Sequence, residues 1–585
     1  MQQKYAFAFV AEVLGILFHL FFTSAATGNT KPNVIILIAD DLSIGDLSCY
    51  GSRAVRTKNL DSLAEDGLKL NRMYSMSSDS GTMAALISGM YPVRKGLGKG
   101  SLGWSSFWSP AQSGGLSAQV PNIASLYASP SMKYQTAFMG RWDLGAGSHG
   151  EYLPGSIGFM SFYGTPMSHS PGCSSNTMFR FTDWDFFLLL LRQNQIVIAS
   201  VALACILPRI FGVRREASLI LLITIGSLSL LVLRMYCWMG PLSPSSCILY
   251  RDNEVTEQPY QDNKMTQRLT LEAVNYLKYR RSKTFFLMVS YLQPKYPAFS
   301  SEQFKNKSGI SPYYDAVLEV DWSVGKILQT LEMEGISNET VVIFLSDNGP
   351  QFTDIFTGNQ IHNSMVGQKV LHRDKQKITL KGEKGSSYEG GIHIPAMIRW
   401  PGHINAGMET DVVTSVLDIF PTVIDITNIK KKYQFKKFDG ESLTSLFKNP
   451  KQKPTAIHST LFHVCDLINP KSDWAVTAGD MKVHFVDCSL EKDCKSPKTP
   501  KIYNITADPG ETVALSVKDH AGLLYNIQLE MAHSNLMIGT SGLDISKTSQ
   551  FDKIPYPWNF PCTTSNFLFC HKELDYEENF NSLLP

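Results

Sequence analysis

Residues 33–41 read Asn-Val-Ile-Ile-Leu-Ile-Ala-Asp-Asp, and residues 341–349 read Val-Val-Ile-Phe-Leu-Ser-Asp-Asn-Gly. Each is a short apolar run, rich in β-branched residues, that ends abruptly in acidic and amide side chains. A run of this length without alternation indicates a strand covered on both faces, as in the middle of a parallel sheet. Segments with helical spacing lie between and around the two runs, at 59–68, 83–88 and 314–333. Strands alternating with helices predict a doubly wound α/β domain. Ligands of such sheets gather beyond the carboxyl ends of the strands, where both acidic clusters fall.

Working outward, the whole chain has 585 residues, with 54 Lys+Arg against 52 Asp+Glu and a net charge of +2. That balance provides no basic field for nucleic acid and no acidic solvating tail. Hydrophobic residues make up 44% and charged residues 18%, which excludes intrinsic disorder. Beyond residue 450, lysine-rich stretches and turn signals break up short strands such as 482–487. These features predict a smaller α+β unit over 451–585, beside a main α/β domain formed by 28–180 and 250–450.

Residues 1–27 have a short polar start, an apolar stretch from Val13 to Phe22 and small residues at Ser24, Ala25 and Ala26, the pattern of a cleavable secretory signal. Sequons at Asn306, Asn338 and Asn504 fit a lumenal body. The most apolar part of the chain, 184–238, holds two runs, Phe186 to Leu207 and Ala217 to Leu233. Both are near the roughly 20 residues that span a bilayer, so they predict a transmembrane helical hairpin inserted into the α/β domain, with a lipid contact. Arg209, Arg214 and Arg215 assign the turn to the cytoplasmic side. Arg192 to Gln195 interrupt the first run, and the other reading is two buried helices of a soluble body. Cys173 and Cys247 bracket this region, while Cys488 with Cys494 and Cys562 with Cys570 have spacings suited to local disulfides. The expected address is the secretory-pathway membrane, in the endoplasmic reticulum, the Golgi or the lysosome.

Asp40, Asp41, Asp347 and Asn348 supply carboxylate and amide oxygens from two strand ends. Hard oxygen donors suit Ca²⁺ or Mg²⁺ rather than zinc. A solvated acidic loop is the competing reading for either pair alone.

The order of motifs resembles the sulfatases, within them the membrane-hairpin steryl-sulfatase and arylsulfatase subgroup. The resemblance is carried by PNVIILIADDLSIGDLSCYG (32–51), AALISGMYPVRKG (84–96), MGRWDLG (139–145), GFMSFYG (158–164), MTQRLTLEA (265–273), DAVLEVDWSVGKIL (315–328), LSDNG (345–349) and GEKGSSYEGGIHIPAMIRWPG (382–402). It implies an alkaline-phosphatase-like mixed sheet and a calcium site at Asp40, Asp41, Asp347 and Asn348. It also implies a nucleophile, formylglycine, made from the cysteine of a Cys-x-Pro-x-Arg motif. Here that position reads Asp79-Ser80-Gly81-Thr82-Met83, so formylglycine cannot form at position 79. The family's Gly-Lys-Trp-His-Leu-Gly is Gly140-Arg141-Trp142-Asp143-Leu144-Gly145, with Asp143 in place of the histidine. A second family histidine is replaced within Gln293-Pro294-Lys295, and Lys384 is retained as an anion contact.

A carboxylate at 143 repels an anionic ester where an imidazole would donate a proton, and loss of the nucleophile costs several orders of magnitude in rate. The resemblance therefore implies a sulfuric ester hydrolase fold with catalysis lost, Asp79 joining the cation ligands and an anionic ligand such as sulfate as the remaining candidate. Two readings compete with it: residual arylsulfatase activity, and phosphoester hydrolysis by Ser80 or Thr82. A solvated or helix-capping role is the simpler account of both hydroxyls. No partner protein is indicated.

Overall fold

The computed structural model describes residues 31–95, 111–168, 247–429, 438–448, 457–464, 474–486 and 499–534, apart from short breaks within them, together with Cys173, Thr224 and Gly226. The expected signal segment, the hairpin apart from Thr224 and Gly226, and the cysteine pairs 488/494 and 562/570 lie outside the described residues. Among the described residues no helix is long and apolar enough to cross a membrane.

The strands are β1 (Asn33–Asp40), β2 (Leu68–Tyr74), β3 (Gln135–Arg141), β4 (Ser161–Thr165), β5 (Leu249–Arg251), β6 (Glu254–Glu257), β7 (Phe285–Pro294), β8 (Thr340–Ser346), β9 (Val370–Arg373), β10 (Gln376–Thr379), β11 (His393–Arg399), β12 (Met408–Thr410) and β13 (Thr414–Ser415). All but β9 and β10 form one sheet in the order β12-β2-β11-β8-β1-β7-β3-β4-β5-β6, with β13 beside β2. From β8 to β4 the strands run parallel, and β11 is antiparallel to both β8 and β2. The sheet is therefore mixed, with a parallel centre.

Burial explains why β1 is apolar throughout. Val34, Ile36 and Ile38 enter one core with Met83 to Ile87 of the helix Asp79–Ser88. Ile35, Leu37 and Ala39 enter the other, with Leu269, Ala273 and Leu277 of the helix Met265–Arg280 and Val317, Val320 and Val324 of the helix Pro312–Met333. Helices on both faces leave no solvent side for a polar residue, so the alternation of a half-exposed strand is missing.

Two boundaries differ from the sequence reading. Helical spacing carries the first helix to Leu68, but the helix is Lys58–Glu65 and Leu68 opens β2. Gly67 lies so close to β11 that a Cβ there would meet the Ile398 carbonyl oxygen at 2.3 Å, and this approach turns the chain into the sheet. The helix expected near Met83 begins at Asp79, capped by the Ser78 hydroxyl, which accepts from the Gly81 N–H.

Cys173 and Cys247 form a disulfide with 5.4 Å between Cα atoms, so the chain on either side of the 174–246 stretch is joined at one point. A four-stranded antiparallel sheet, β14 (Leu461–Val464), β15 (Trp474–Ala478), β16 (Met481–Val486) and β17 (Lys501–Asn504), contributes Val476, Val483 and Ile502 to the larger core. A buried polar seam joins it to the body. Lys482 lies 3.0 Å from Glu389, and the His484 ring nitrogen Nε2 lies 2.6 Å from Glu511. Glu511 in turn accepts from the Glu389 backbone N–H.

Glu319, on the helix Pro312–Met333, is 1% exposed, and its Oε2 accepts the Ser301 N–H at 3.0 Å. Burial pushes its carboxyl up to about 7, above the ordinary value of 4.5. The folded state therefore binds a proton that the unfolded state has lost, and stability falls as pH rises from about 4.5 to about 7. Glu319→Gln should remove that decline, worth on the order of 3 kcal/mol, in urea melts across this pH range. An unchanged slope would sink the assignment.

Candidate metal centre

Strand register brings the acidic residues together. Ala39 pairs with Ser346, so Asp40 and Asp41 leave β1 beside Asp347 and Asn348 as these leave β8. On the other side Asp40 pairs with Pro294, which delivers Lys295 from the end of β7. Gly140 pairs with Ser290, which puts Arg141 at the end of β3 on the same rim. Gly140 has φ 105°, and a Cβ on it would meet the Ser290 carbonyl oxygen at 1.7 Å, so no other residue fits before Arg141.

Ligand oxygens of Asp40, Asp41, Asp79 and Asp347 lie within 4.8 Å of one another, and all four residues are buried. The loops are braced by their own polar atoms. Asp347 Oδ1 accepts the Asp41 N–H at 3.0 Å, and the Ser346 hydroxyl accepts the Leu42 N–H. Asn348 donates through Nδ2 to Asp41 Oδ1 at 2.6 Å and to the Gly349 carbonyl, which leaves its Oδ1 without a hydrogen-bond partner. Asp41 and Asp143 hold left-handed backbone, φ 61° and 57°, a conformation that costs a non-glycine residue about 1 kcal/mol or more and here coincides with the polar cluster.

Three cations are threaded among these acids. Arg141, wholly buried, reaches Asp347 at 2.5 Å, Asp40 at 3.3 Å, Asp79 at 3.4 Å and Asp143 at 3.6 Å. Lys295 Nζ donates to Asp79 Oδ2 at 2.8 Å, and Lys384 Nζ contacts both Asp41, at 2.6 Å, and Asp79. Against three positive charges stand five carboxylates, Asp40, Asp41, Asp79, Asp143 and Asp347, a formal surplus of two negative charges when all five are ionised.

Burial pushes Asp40 well above the usual carboxylate range, with Arg141 and Lys295 only partly opposing it, and raises Asp347 in the same way. Burial, with Asp79 alongside, pushes Asp143 up to about 6. Asp79 is the exception: burial would raise it, but Lys295, Lys384 and Arg141 together hold it well below the range.

The residues fit a hard divalent cation. Both Asp40 oxygens, Asp41 Oδ2 and Asn348 Oδ1 are buried oxygens that accept no hydrogen bond, and the formal surplus of two negative charges matches one M²⁺.

The structure thus assembles all of the expected residues and revises the surroundings of several. Asp143 and Arg141 are not exposed to a substrate cleft but pair with each other. Ser80 and Thr82 are buried rather than solvated, and Ser78 is the cap. Thr82 donates to the Asp347 carbonyl at 2.6 Å and Ser80 to Asp143 at 3.3 Å. Ser168 was not foreseen: its hydroxyl donates to Asp79 at 2.9 Å and accepts from Arg141 at 3.2 Å. It sits in a polar loop with no chemical pattern of its own to mark it.

A sulfatase family model matches residues 32–429, a span that contains the whole cluster. The chain belongs to the sulfatase family. This sulfatase-family chain is 34% identical to human steryl-sulfatase over 455 residues, covering 75% of this chain and 73% of the relative. It is 28% identical to human arylsulfatase H over 579 residues, covering 94% and 99%. Among solved structures, the PsFucS1 sulfatase from Pseudoalteromonas sp. superposes with a TM-score of 0.66 at 22% identity, covering 91% of this chain and 96% of that one, a likeness of fold. The steryl-sulfatase and arylsulfatase resemblance and the alkaline-phosphatase-like mixed sheet read from the motifs therefore hold.

Lys384→Met would leave Asp41 and Asp79 without their shared ammonium. Removing one partner of a buried pair costs about 3–5 kcal/mol, so the urea midpoint in chelator should fall sharply with an unchanged slope. A wild-type midpoint would show that Lys384 does not carry the charge balance.

Proposed function

We propose that this protein is a divalent-cation-binding sulfatase-family member of the secretory-pathway membrane that does not turn over sulfate esters. The observation that carries the reading is Asp79, 1% exposed, where the family's Cys-x-Pro-x-Arg motif would supply its nucleophile. Its carboxylate takes the charges that an ester's sulfate would need, since it contacts Arg141, Lys295, Lys384 and Ser168. An incoming anion meets the same cations already paired, together with the further negative charge of Asp143.

Asp40, Asp41, Asp347, Asn348 and Asp79 would hold the cation, and oxygen donors of this kind favour Ca²⁺, with Mg²⁺ as the smaller alternative. When bound, it supplies two positive charges at the strand ends. The chain's own residues do the rest: Arg141 bridges four carboxylates, Asn348 orients Asp41, and Thr82 anchors the start of the Asp79–Ser88 helix to the Asp347 carbonyl. Thr82 is thereby engaged as a structural donor, which argues against a nucleophilic role. Ser80 faces Asp143 rather than a second metal cluster.

The signal segment 1–27, the transmembrane hairpin 184–238, the main domain over 28–180 and 250–450 and the smaller α+β unit over 451–585 belong to the same proposal. The exposed sequons Asn306 and Asn338 support a lumenal body, and the Cys173–Cys247 disulfide supports an oxidising compartment.

In Ca²⁺ at roughly a hundred times Kd, the wild type should gain about 2.7 kcal/mol of stability over chelator, and Asp40→Asn with Asp347→Asn should lose that gain. No calcium-dependent shift in the wild type would remove the metal from the proposal. Purified protein should show no hydrolysis of aryl sulfate, steroid sulfate or aryl phosphate above a Ser80→Ala control. Turnover abolished by Ser80→Ala would overturn the inactive reading.

A further inference from the structure

A second recess shares no residue with the acidic cluster. It is a cleft of about 230 Å³ between the helix Met265–Arg280 and strands β3, β4 and β5, lined by Met139, Arg251, Asp252, Glu272, Asn275 and Tyr279 among others. Arg251 is clamped there. Its guanidinium lies 4.6 Å over the Tyr163 ring and makes a two-pronged contact with Glu272 at 2.5 and 3.2 Å. Asp252 accepts the Phe162 N–H at 2.8 Å, which fixes a second carboxylate at the rim. Tyr279 is 78% exposed, and Arg280 lies 4.8 Å from its ring centroid and 6.0 Å from that of Tyr276.

Three features select the ligand chemistry. Arg251 offsets Glu272, which leaves Asp252 as the uncompensated charge of the lining, so the cleft offers no surplus positive charge to attract an anion. Its polar lining mixes guanidinium, amide and hydroxyl donors with carboxylate and amide acceptors, which suits groups that both donate and accept. The floor is apolar at Met139, and the rim carries an exposed aromatic face that can take the C–H face of a ring. Hydroxyl groups arrayed around a compact ring with apolar C–H faces describe a sugar. Because the Arg251–Glu272 pair is already held in place, little side-chain ordering remains to oppose binding.

We propose that this cleft binds a neutral hexopyranose unit of a glycan, with Tyr279 as the stacking platform and Asn275, Asp252 and the Arg251–Glu272 pair as hydroxyl contacts. The inference stands apart from the proposed function, since it holds whether or not the acidic centre is catalytic.

The test is saturation-transfer NMR and titration calorimetry on the full chain with methyl α-mannoside, methyl β-galactoside, methyl N-acetyl-β-glucosaminide and their sulfated counterparts. At least one neutral glycoside should bind, and Tyr279→Ala should weaken it roughly tenfold, the loss of one aromatic contact, while Tyr279→Trp retains it. The exposed position of Tyr279 means that the melting temperature should not change, which separates lost binding from lost folding. The proposal is overturned if folded wild type binds no neutral glycoside, if Tyr279→Ala binds as well as wild type, or if only the sulfated sugars bind.

Discussion

Five carboxylates converge at the carboxyl ends of β1, β8 and the elements beside them, and in a dry interior they cannot stay charged and unpaired. Everything around them answers that constraint. Arg141 crosses the cluster, Lys295 and Lys384 close it from two sides, and the amide of Asn348 turns its nitrogen toward Asp41. The parallel pairing of β1 with β7 and β8 is what brings these groups within bonding distance, because a register shift of one residue would turn each acid to the opposite face of the sheet. Packing and electrostatics are therefore one problem here. The apolar interior of β1 sets the alignment, and the alignment sets which charges meet.

Under the proposed function, internal pairing takes the place of catalytic chemistry at this centre. A nucleophile must be free to approach substrate, and a proton donor must be able to change state in the reaction. Asp79 is instead tied to three cations and a hydroxyl, and Asp143 to Arg141, Ser80 and Ser168. A carboxylate in that position acts as a resident anion. The oxygens that accept no hydrogen bond, on Asp40, Asp41 and Asn348, are what remains for a cation to satisfy.

Much of this was legible in the sequence because it depends on local rules. The apolar runs at 33–39 and 341–345 became the central strands, since a strand covered on both faces has no polar positions to obscure it. The helices at 58–65 and 79–88 differ at their ends by a few residues from what spacing predicts, since Gly67 and Ser78 act through contacts that spacing does not encode. Ser168 left no trace, because a hydroxyl in a loop gains meaning only from what faces it. The motif marks Arg141 as a cation, but its four carboxylate partners come from four separate segments of the chain.

Residue order alone carries the chemical parts: buried-type strands ending in acids, and a family order of motifs. Those follow from residue identity and near-neighbour pattern, which a linear chain carries in full. Only the tertiary structure decided how the parts share charge, which cations neutralise which acids, and that Asp79 is pinned rather than poised. Such pairings join residues up to 343 positions apart, as between Asp41 and Lys384, and their energies depend on distance and burial, quantities that come into being only when the sheet closes.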